Sequence, residues 1–157
     1  MLKLVFDSLR APYDLANILQ VAVAAGNCEV LLCGNSIHHD HPKVWGKVQS
    51  WCEPGMKDLG VVISYYPSLA DCVHELKLGG YLVVGTSPKA DAEYTDVDFS
   101  GKVAVVFGNE STGLSASKSS LMDRLVKVPM RSSPLRFMTL SVVVPVIVYY
   151  AKARPLP

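Results

Sequence analysis

The stretch VVFGNESTGLS, running from Val105 to Ser115, leaves an apolar strand at Phe107 and enters helix-type sequence near Leu114. Gly108 and Gly113 let the backbone turn tightly and approach a ligand, and the amides of such a loop can point at it. The G-x-x-x-x-G spacing is that of a phosphate loop, but Leu114 stands where the Lys belongs and Glu110 would repel a polyphosphate. A nucleoside triphosphate site does not fit. A plain turn between strand and helix is the alternative reading of the loop.

Working outward, six short runs rich in Val, Leu and Ile are bounded by Gly, Pro, Asn or Asp: LKLVF from Leu2, EVLLCG from Glu29, GVVISYY from Gly60, GYLVVG from Gly80, KVAVVFG from Lys102 and RLVKVPM from Arg124. Near-continuous apolar runs of this length predict strands covered on both faces. Helix-period segments lie between them, at Pro12 to Ala25, Pro42 to Trp51, Ser68 to Leu78 and Leu114 to Met122. A last helix is expected from an N-cap at Ser141 to about Ala153, with Pro145 awkwardly inside it. The alternation predicts an α/β fold, a mainly parallel sheet with helices on both faces.

The chain has 157 residues, half of them hydrophobic and 18% charged, enough for one packed core, so a single domain over 1–157 is expected. No basic start, apolar middle and small-residue cleavage site opens the sequence, which predicts a cytoplasmic protein. The longest apolar run, Val142 to Ala151, is far short of the roughly 20 residues of a membrane helix. Cys28, Cys33, Cys52 and Cys72 form no CxxC pair, and the five-residue step from Cys28 to Cys33 in a strand sends their side chains to opposite faces. The net charge of +1 conceals an asymmetry: from Lys118 onward seven basic residues, Arg154 among them, face Asp123 alone, while acids outnumber bases before it. Such a basic third suits a phosphate-contacting face, with a solvated charge bias as the bland alternative.

FGNESTGL, Phe107 to Leu114, resembles the second signature of SpoU-branch SPOUT RNA methyltransferases, an FGNE-x-x-GL loop after a strand. VPM, Val128 to Met130, matches that family's I-P-M, and RFMTLS, Arg136 to Ser141, falls where its minimal tRNA-wobble ribose methyltransferases have R-S-M-N-L-S, with one extra residue between the two. DLANILQVAVAAG, Asp14 to Gly26, lies without gaps over the first signature, N-x-G-x-I-x-R-x-A-x-x-x-G. The resemblance implies a C-terminal trefoil knot, an architecture that physical reasoning alone would not propose because threaded chains are very rare. It implies S-adenosylmethionine as methyl donor, S-adenosylhomocysteine as product, and 2′-O-ribose methylation of RNA, tRNA before rRNA. The donor's pocket would be lined by Val84, Gly85 and Thr86, by Gly108, Asn109 and Glu110, and by Val128 to Met138, including Met130.

The family's reaction centre is an Arg from the first signature, supplied across a dimer, with a Ser and an Asn from the third. Here those positions hold Gln20, Phe137 and Thr139, and the Asn that opens the first signature is Asp14. Gln carries no charge and Phe makes no hydroxyl hydrogen bond. One reading lets Arg10, Arg131 and Arg136 supply the positive charge, for RNA and at the reaction centre, with Thr139 the remaining hydroxyl. Another makes a base nitrogen the methyl acceptor, with Phe137 stacked on that unpaired base, against the plain alternative of a core aromatic. A third is a non-catalytic RNA- or cofactor-binding relative.

The cluster His38, His39, Asp40 and His41 has metal-ligand chemistry, but adjacent histidines rarely converge on one ion and Pro42 follows as in a loop. No metal is expected. Trp45 and Trp51 lie six apart on different faces of a helix, with packing the simple reading. The last helix is apolar around most of its circumference and must be covered on all sides, either internally or by a second subunit. Family dimers use the first and last helices, so the resemblance implies a homodimer.

Overall fold

The computed structural model describes residues 1–131 and 134–153. The six apolar runs are strands β1 (Leu2–Asp7), β2 (Cys28–Cys33), β3 (Val62–Tyr66), β4 (Leu82–Thr86), β6 (Val103–Phe107) and β7 (Arg124–Lys127), joined by a two-residue strand β5 (Ala92–Glu93). All pair in parallel, in the order β3-β2-β1-β6-β4-β7-β5. β7 is thus inserted between β4 and β5 rather than added at an edge.

Alternate residues of the central strands enter two cores. Leu4, Phe6, Val105 and Phe107 face one side, where helices α1 (Pro12–Ala25), α2 (Pro42–Gln49) and α5 (Leu140–Ala153) pack. Val5, Ala104 and Val106 face the other, against α3 (Leu69–Leu78) and the residues after α4 (Ala116–Ser119). Phe6 and Phe107 stack at 5.1 Å between centroids, clamping β1 to β6 from within. Cys28 and Cys33 do fall in opposite cores, and the four cysteines are free thiols. Beside Cys72, its partner in a hydrogen bond, and in a buried site, the Cys33 thiol is pushed far up, so it behaves as a packing group.

Two elements depart from expectation. α4 covers four residues instead of Leu114 to Met122. Gly113 at φ 65° breaks the helical path, Ser115 caps the delayed start by accepting from the Lys118 N–H, and Asp123 N–H donates to the Val83 carbonyl, drawing the chain onto the sheet. α5 begins at Leu140, so Ser141 is inside the helix and not its cap; the Thr139 carbonyl accepts from the Val142 and Val143 amides instead. Pro145 is within this helix, early enough that its missing amide interrupts only the first turns. α5 is also not covered on all sides in the single chain: Val144, Ile147 and Val148 are buried, whereas Val142 and Tyr149 are about half exposed. No helix among the described residues is long and apolar enough to cross a membrane.

Candidate functional site

The carboxyl ends of β4, β6 and β7 open into a cavity of about 320 Å³, within the usual range for small-molecule sites. Its walls are Thr86 to Lys89 at and after the end of β4, Gly108 to Leu114 after β6, Val126 to Val128 and Met130 on and after β7, and Phe137 to Leu140 leading into α5. Asp14 and Val143 reach it from the two helices. Segments distant in sequence meet here because β7 lies beside β4, which brings the chain beyond Lys127 across the mouth of the β6 loop.

The β6 loop is held by its own side chains. Asn109 Oδ1 accepts from the Ser111 and Thr112 amides at 2.9 and 3.3 Å, and its Nδ2 donates to the Ser8 carbonyl at 2.7 Å. Glu110 Oε1 accepts from the Arg10 and Ala11 amides at 2.9 and 2.8 Å, and Oε2 from Asn109 Nδ2. Glu110 therefore anchors the start of α1, which has no side-chain cap of its own, and a carboxylate there also meets the positive end of the helix. Gly108 is required for a reason other than ligand approach: a Cβ on it would lie 2.2 Å from the Gly113 carbonyl carbon and 2.4 Å from the Leu114 nitrogen. The loop closes on itself.

Of the predicted pocket residues, Thr86, Gly108, Asn109, Glu110, Val128, Met130 and Met138 line the cavity, as do Phe137 and Thr139. Val84 and Gly85 do not. Val84 is fully buried in the α1 core, and Gly85 lacks a Cβ because Met122 and Leu125 pack at 2.6 and 2.8 Å from where it would be. Phe137 is 54% exposed, which rules out the core-aromatic reading. Gln20, on an exposed face of α1, stays outside the cavity, as do the exposed Arg10, Arg131 and Arg136. Part of the C-terminal basic excess is committed elsewhere: Lys118 pairs with buried Asp7 at 2.6 Å, Lys152 donates to the Asn27 carbonyl and Arg124 to that of Asp96. Lys127 lines the cavity, and Arg154 lies outside the described residues.

Asp14 is the group that sequence reasoning missed. Its half-buried carboxylate accepts from Ser141 Oγ at 2.7 Å, and Ser141 Oγ in turn accepts from Asn17 Nδ2 at 3.5 Å. This ties the α1 and α5 walls together at the cavity's edge. The signal was the Asn-to-Asp change at the head of the first signature.

The apolar stretch from Val126 through Met130, Met138, Leu140 and Val143 suits a purine and its sugar, and carboxylates at the rim tolerate a sulfonium cation where they would repel a triphosphate. The site fits S-adenosylmethionine. Fold and cavity together define a nucleoside-binding α/β domain with its site at the carboxyl ends of a parallel sheet. The chain belongs to the SpoU rRNA Methylase family, which it matches over residues 1–149. Its fold is therefore that family's α/β knot, and its class the S-adenosylmethionine-dependent RNA 2′-O-ribose methyltransferases. It is 28% identical over 157 residues to a tRNA (guanosine(18)-2′-O)-methyltransferase of Thermus thermophilus, covering 99% of this chain and 76% of that protein. It is similar to a structure described as giving insights into the 2-OH methylation of C/U34 on tRNA, with a TM-score of 0.81, 25% identity, and coverage of 96% and 93% of the two chains. The cofactor complex of the SpoU methyltransferase AviRb from Streptomyces viridochromogenes gives a TM-score of 0.79 at 24% identity over 96% of this chain, which spans 56% of that one.

Proposed function

We propose that this chain methylates the ribose 2′-hydroxyl of a tRNA, with rRNA the second candidate, and that it acts in the cytoplasm as a homodimer and as one catalytic unit over 1–157. The observation that carries the proposal is the convergence of four chain segments on a cavity with apolar walls and an acidic rim. When bound, S-adenosylmethionine supplies an electrophilic methyl group on a sulfonium. The residues of this chain have three tasks: hold that molecule, orient the hydroxyl and receive its proton.

Main-chain groups of Thr86 to Pro88, Gly108 to Glu110 and Val128 to Met130 are the holding surface, so side-chain drift leaves this task intact. The Thr139 hydroxyl can orient the ribose, and Phe137, exposed at the cavity mouth, offers a face for an unpaired base. Asp14 is the proton acceptor: one carboxylate oxygen is fixed by Ser141, and the other would take the 2′-hydroxyl proton as the oxygen bonds to the methyl carbon and the methyl–sulfur bond breaks, S-adenosylhomocysteine leaving. Arg131 and Arg136 lie in the segment that borders the cavity and serve phosphates. Support for the dimer comes from a stripe of exposed apolar residues: Tyr13 and Val23 on α1 flank Gln20, and Val142 and Tyr149 project from α5, which packs on α1. Gln20 on this stripe would reach the partner's cavity rather than its own.

The test is incubation with labelled S-adenosylmethionine and unmodified tRNA and rRNA transcripts, followed by nucleoside analysis. Label in a 2′-O-methylnucleoside supports the proposal. Asp14→Asn, which keeps the acceptor for Ser141, should bind S-adenosylhomocysteine as before and lose transfer on the order of 10²- to 10⁴-fold. Cofactor binding without transfer to either RNA would favour a non-catalytic relative.

A further inference from the structure

The histidine cluster has no role in the cavity, and among the described residues no group of three potential metal ligands converges. Its side chains have other partners. His41 accepts from the Lys43 N–H at the start of α2, and His38 pairs with Asp40. His38 stacks on Tyr65 of β3 at 4.3 Å and 9°, His39 lies 4.7 Å from His38 and 6.0 Å from Tyr65, and the Tyr65 hydroxyl accepts from the His39 N–H at 3.0 Å. Burial, with His38 adding to it, holds the His39 imidazole below its usual range. The three rings form a fixed assembly at the surface, with the His38 side chain 52% exposed and Tyr65 40% exposed. Around them the chain is basic and aromatic: Lys43 and Lys47 are exposed on α2, and Lys47 lies over the Trp51 ring. Asp40 is the one acid between Val30 and Cys52.

The assembly lies at the same carboxyl end of the parallel strands as the cavity, on the edge strand β3. A chain of hydrogen bonds joins them: Glu110 holds the Arg10 amide, the Leu9 amide donates to Ser36 Oγ at 3.0 Å, and the Ile37 amide donates to the Leu9 carbonyl at 2.7 Å, immediately before His38. Exposed Arg10 lies between the two ends of this chain. β3 and β6 are three strand spacings apart, about 14 Å, a span of about four nucleotides or fewer along a single strand.

We infer that the His38–His39–Tyr65 stack is a second RNA contact, a platform on which an unpaired nucleobase a few nucleotides from the methylated ribose stacks, with Arg10 on the intervening phosphate. The inference rests on the RNA reading above. Stacked rings with an exposed face suit bases of any sequence, and adjacent cations serve the backbone without specifying it. Exposed aromatics with lysines would equally attract an acidic peptide, but the rigid tie to the cavity through Arg10 favours the substrate itself.

The experiment measures binding of unmodified tRNA and rRNA transcripts and of S-adenosylhomocysteine to the full chain and to Tyr65→Ala, His38→Ala and the ring-keeping Tyr65→Phe and His38→Phe. The alanine variants should bind RNA about 5- to 100-fold more weakly with unchanged S-adenosylhomocysteine affinity, and the phenylalanine variants should recover most of the loss. Alanine variants that melt like the wild type and bind RNA equally well would overturn the platform while leaving the methyltransferase reading standing. Alanine variants that lose RNA and S-adenosylhomocysteine binding together, with no recovery in the phenylalanine variants, would make the stack a structural brace and overturn it too. A wild-type chain that binds the nucleoside and neither RNA would overturn both readings.

Discussion

Gly108 and Gly113 close the β6 loop so tightly that a methyl group on Gly108 would sit 2.2 Å from the Gly113 carbonyl carbon, while the corresponding space at Gly113 is open. Gly108→Ala should therefore disrupt the loop and abolish S-adenosylhomocysteine binding, with a stability loss of about 2 kcal/mol or more. Gly113→Ala meets no atom and suffers only from its positive φ, a cost of about 1–2 kcal/mol. Urea unfolding and calorimetry on both variants check the asymmetry; equal losses would show that conformation and not contact governs the loop.

Glu110 contributes to α1 as well as to the cavity wall. Glu110→Ala strips two amides of their acceptor and should lower stability by about 1–2 kcal/mol, whereas Glu110→Gln retains an oxygen for those amides and loses the charge and the hydrogen bond from Asn109. Denaturation midpoints distinguish them, and equal midpoints for alanine and wild type would remove the anchoring role.

RNA affinity should fall steeply with salt, with a log–log slope near −0.7 for each single-stranded phosphate neutralised. Reversing Arg131 and Arg136 to Glu should flatten the slope by about one such step per lost contact. Affinity indifferent to salt and to both reversals would favour a small-molecule substrate.

Gln20→Arg with Phe137→Ser restores two of the three groups of the family's reaction centre, Thr139 keeping its hydroxyl, and is tested as a pair because such groups act as a unit. A gain in methyl transfer by the double variant indicates the family's route. If Phe137 holds a base instead, Phe137→Ser alone weakens RNA binding by about 1–3 kcal/mol. The signs are opposite, and calorimetry beside single-turnover transfer separates them.

Asp123 makes the fold mildly acid-sensitive. Burial would raise its carboxyl, but Lys77 and the Val83 amide, each at 2.8 Å, outweigh this and hold it below the ordinary carboxylate range. The unfolded chain then takes the proton more readily, so this stability is complete above the unfolded carboxyl's value near 4 and is lost as pH falls through the lower folded one. Urea midpoints from about pH 6 to pH 2 should decline less for Asp123→Asn than for wild type, by under about 1 kcal/mol because solvent screens the pair.

What the sequence made legible was what local chemistry controls. Pro12 at the head of an apolar 3.6-residue pattern placed α1 to the residue, and apolar runs placed six strands, although both faces are covered only along the central ones and the edge strand β3 has no buried residue. β5 escaped because two residues of Ala and Glu carry no period. The misplaced roles depend on tertiary contacts. Gly85 reads like a ligand-facing glycine, but Met122 and Leu125 fill its space; Ser141 reads like a cap, but Asp14 takes its hydroxyl. Gln20 lies on a face that a single chain leaves outside its own cavity.

The insertion of β7 between β4 and β5 sets an order of assembly. The strand cannot be appended to a finished sheet; its slot must stay accessible until the C-terminal segment arrives, and parallel pairing between distant segments is slow to form. The cavity walls at Val126 to Val128, at Met130 and at Phe137 to Leu140 exist only after that arrival. In refolding, recovery of nucleoside binding should lag recovery of helical signal, so the ligand serves as a stopwatch for the last event of folding.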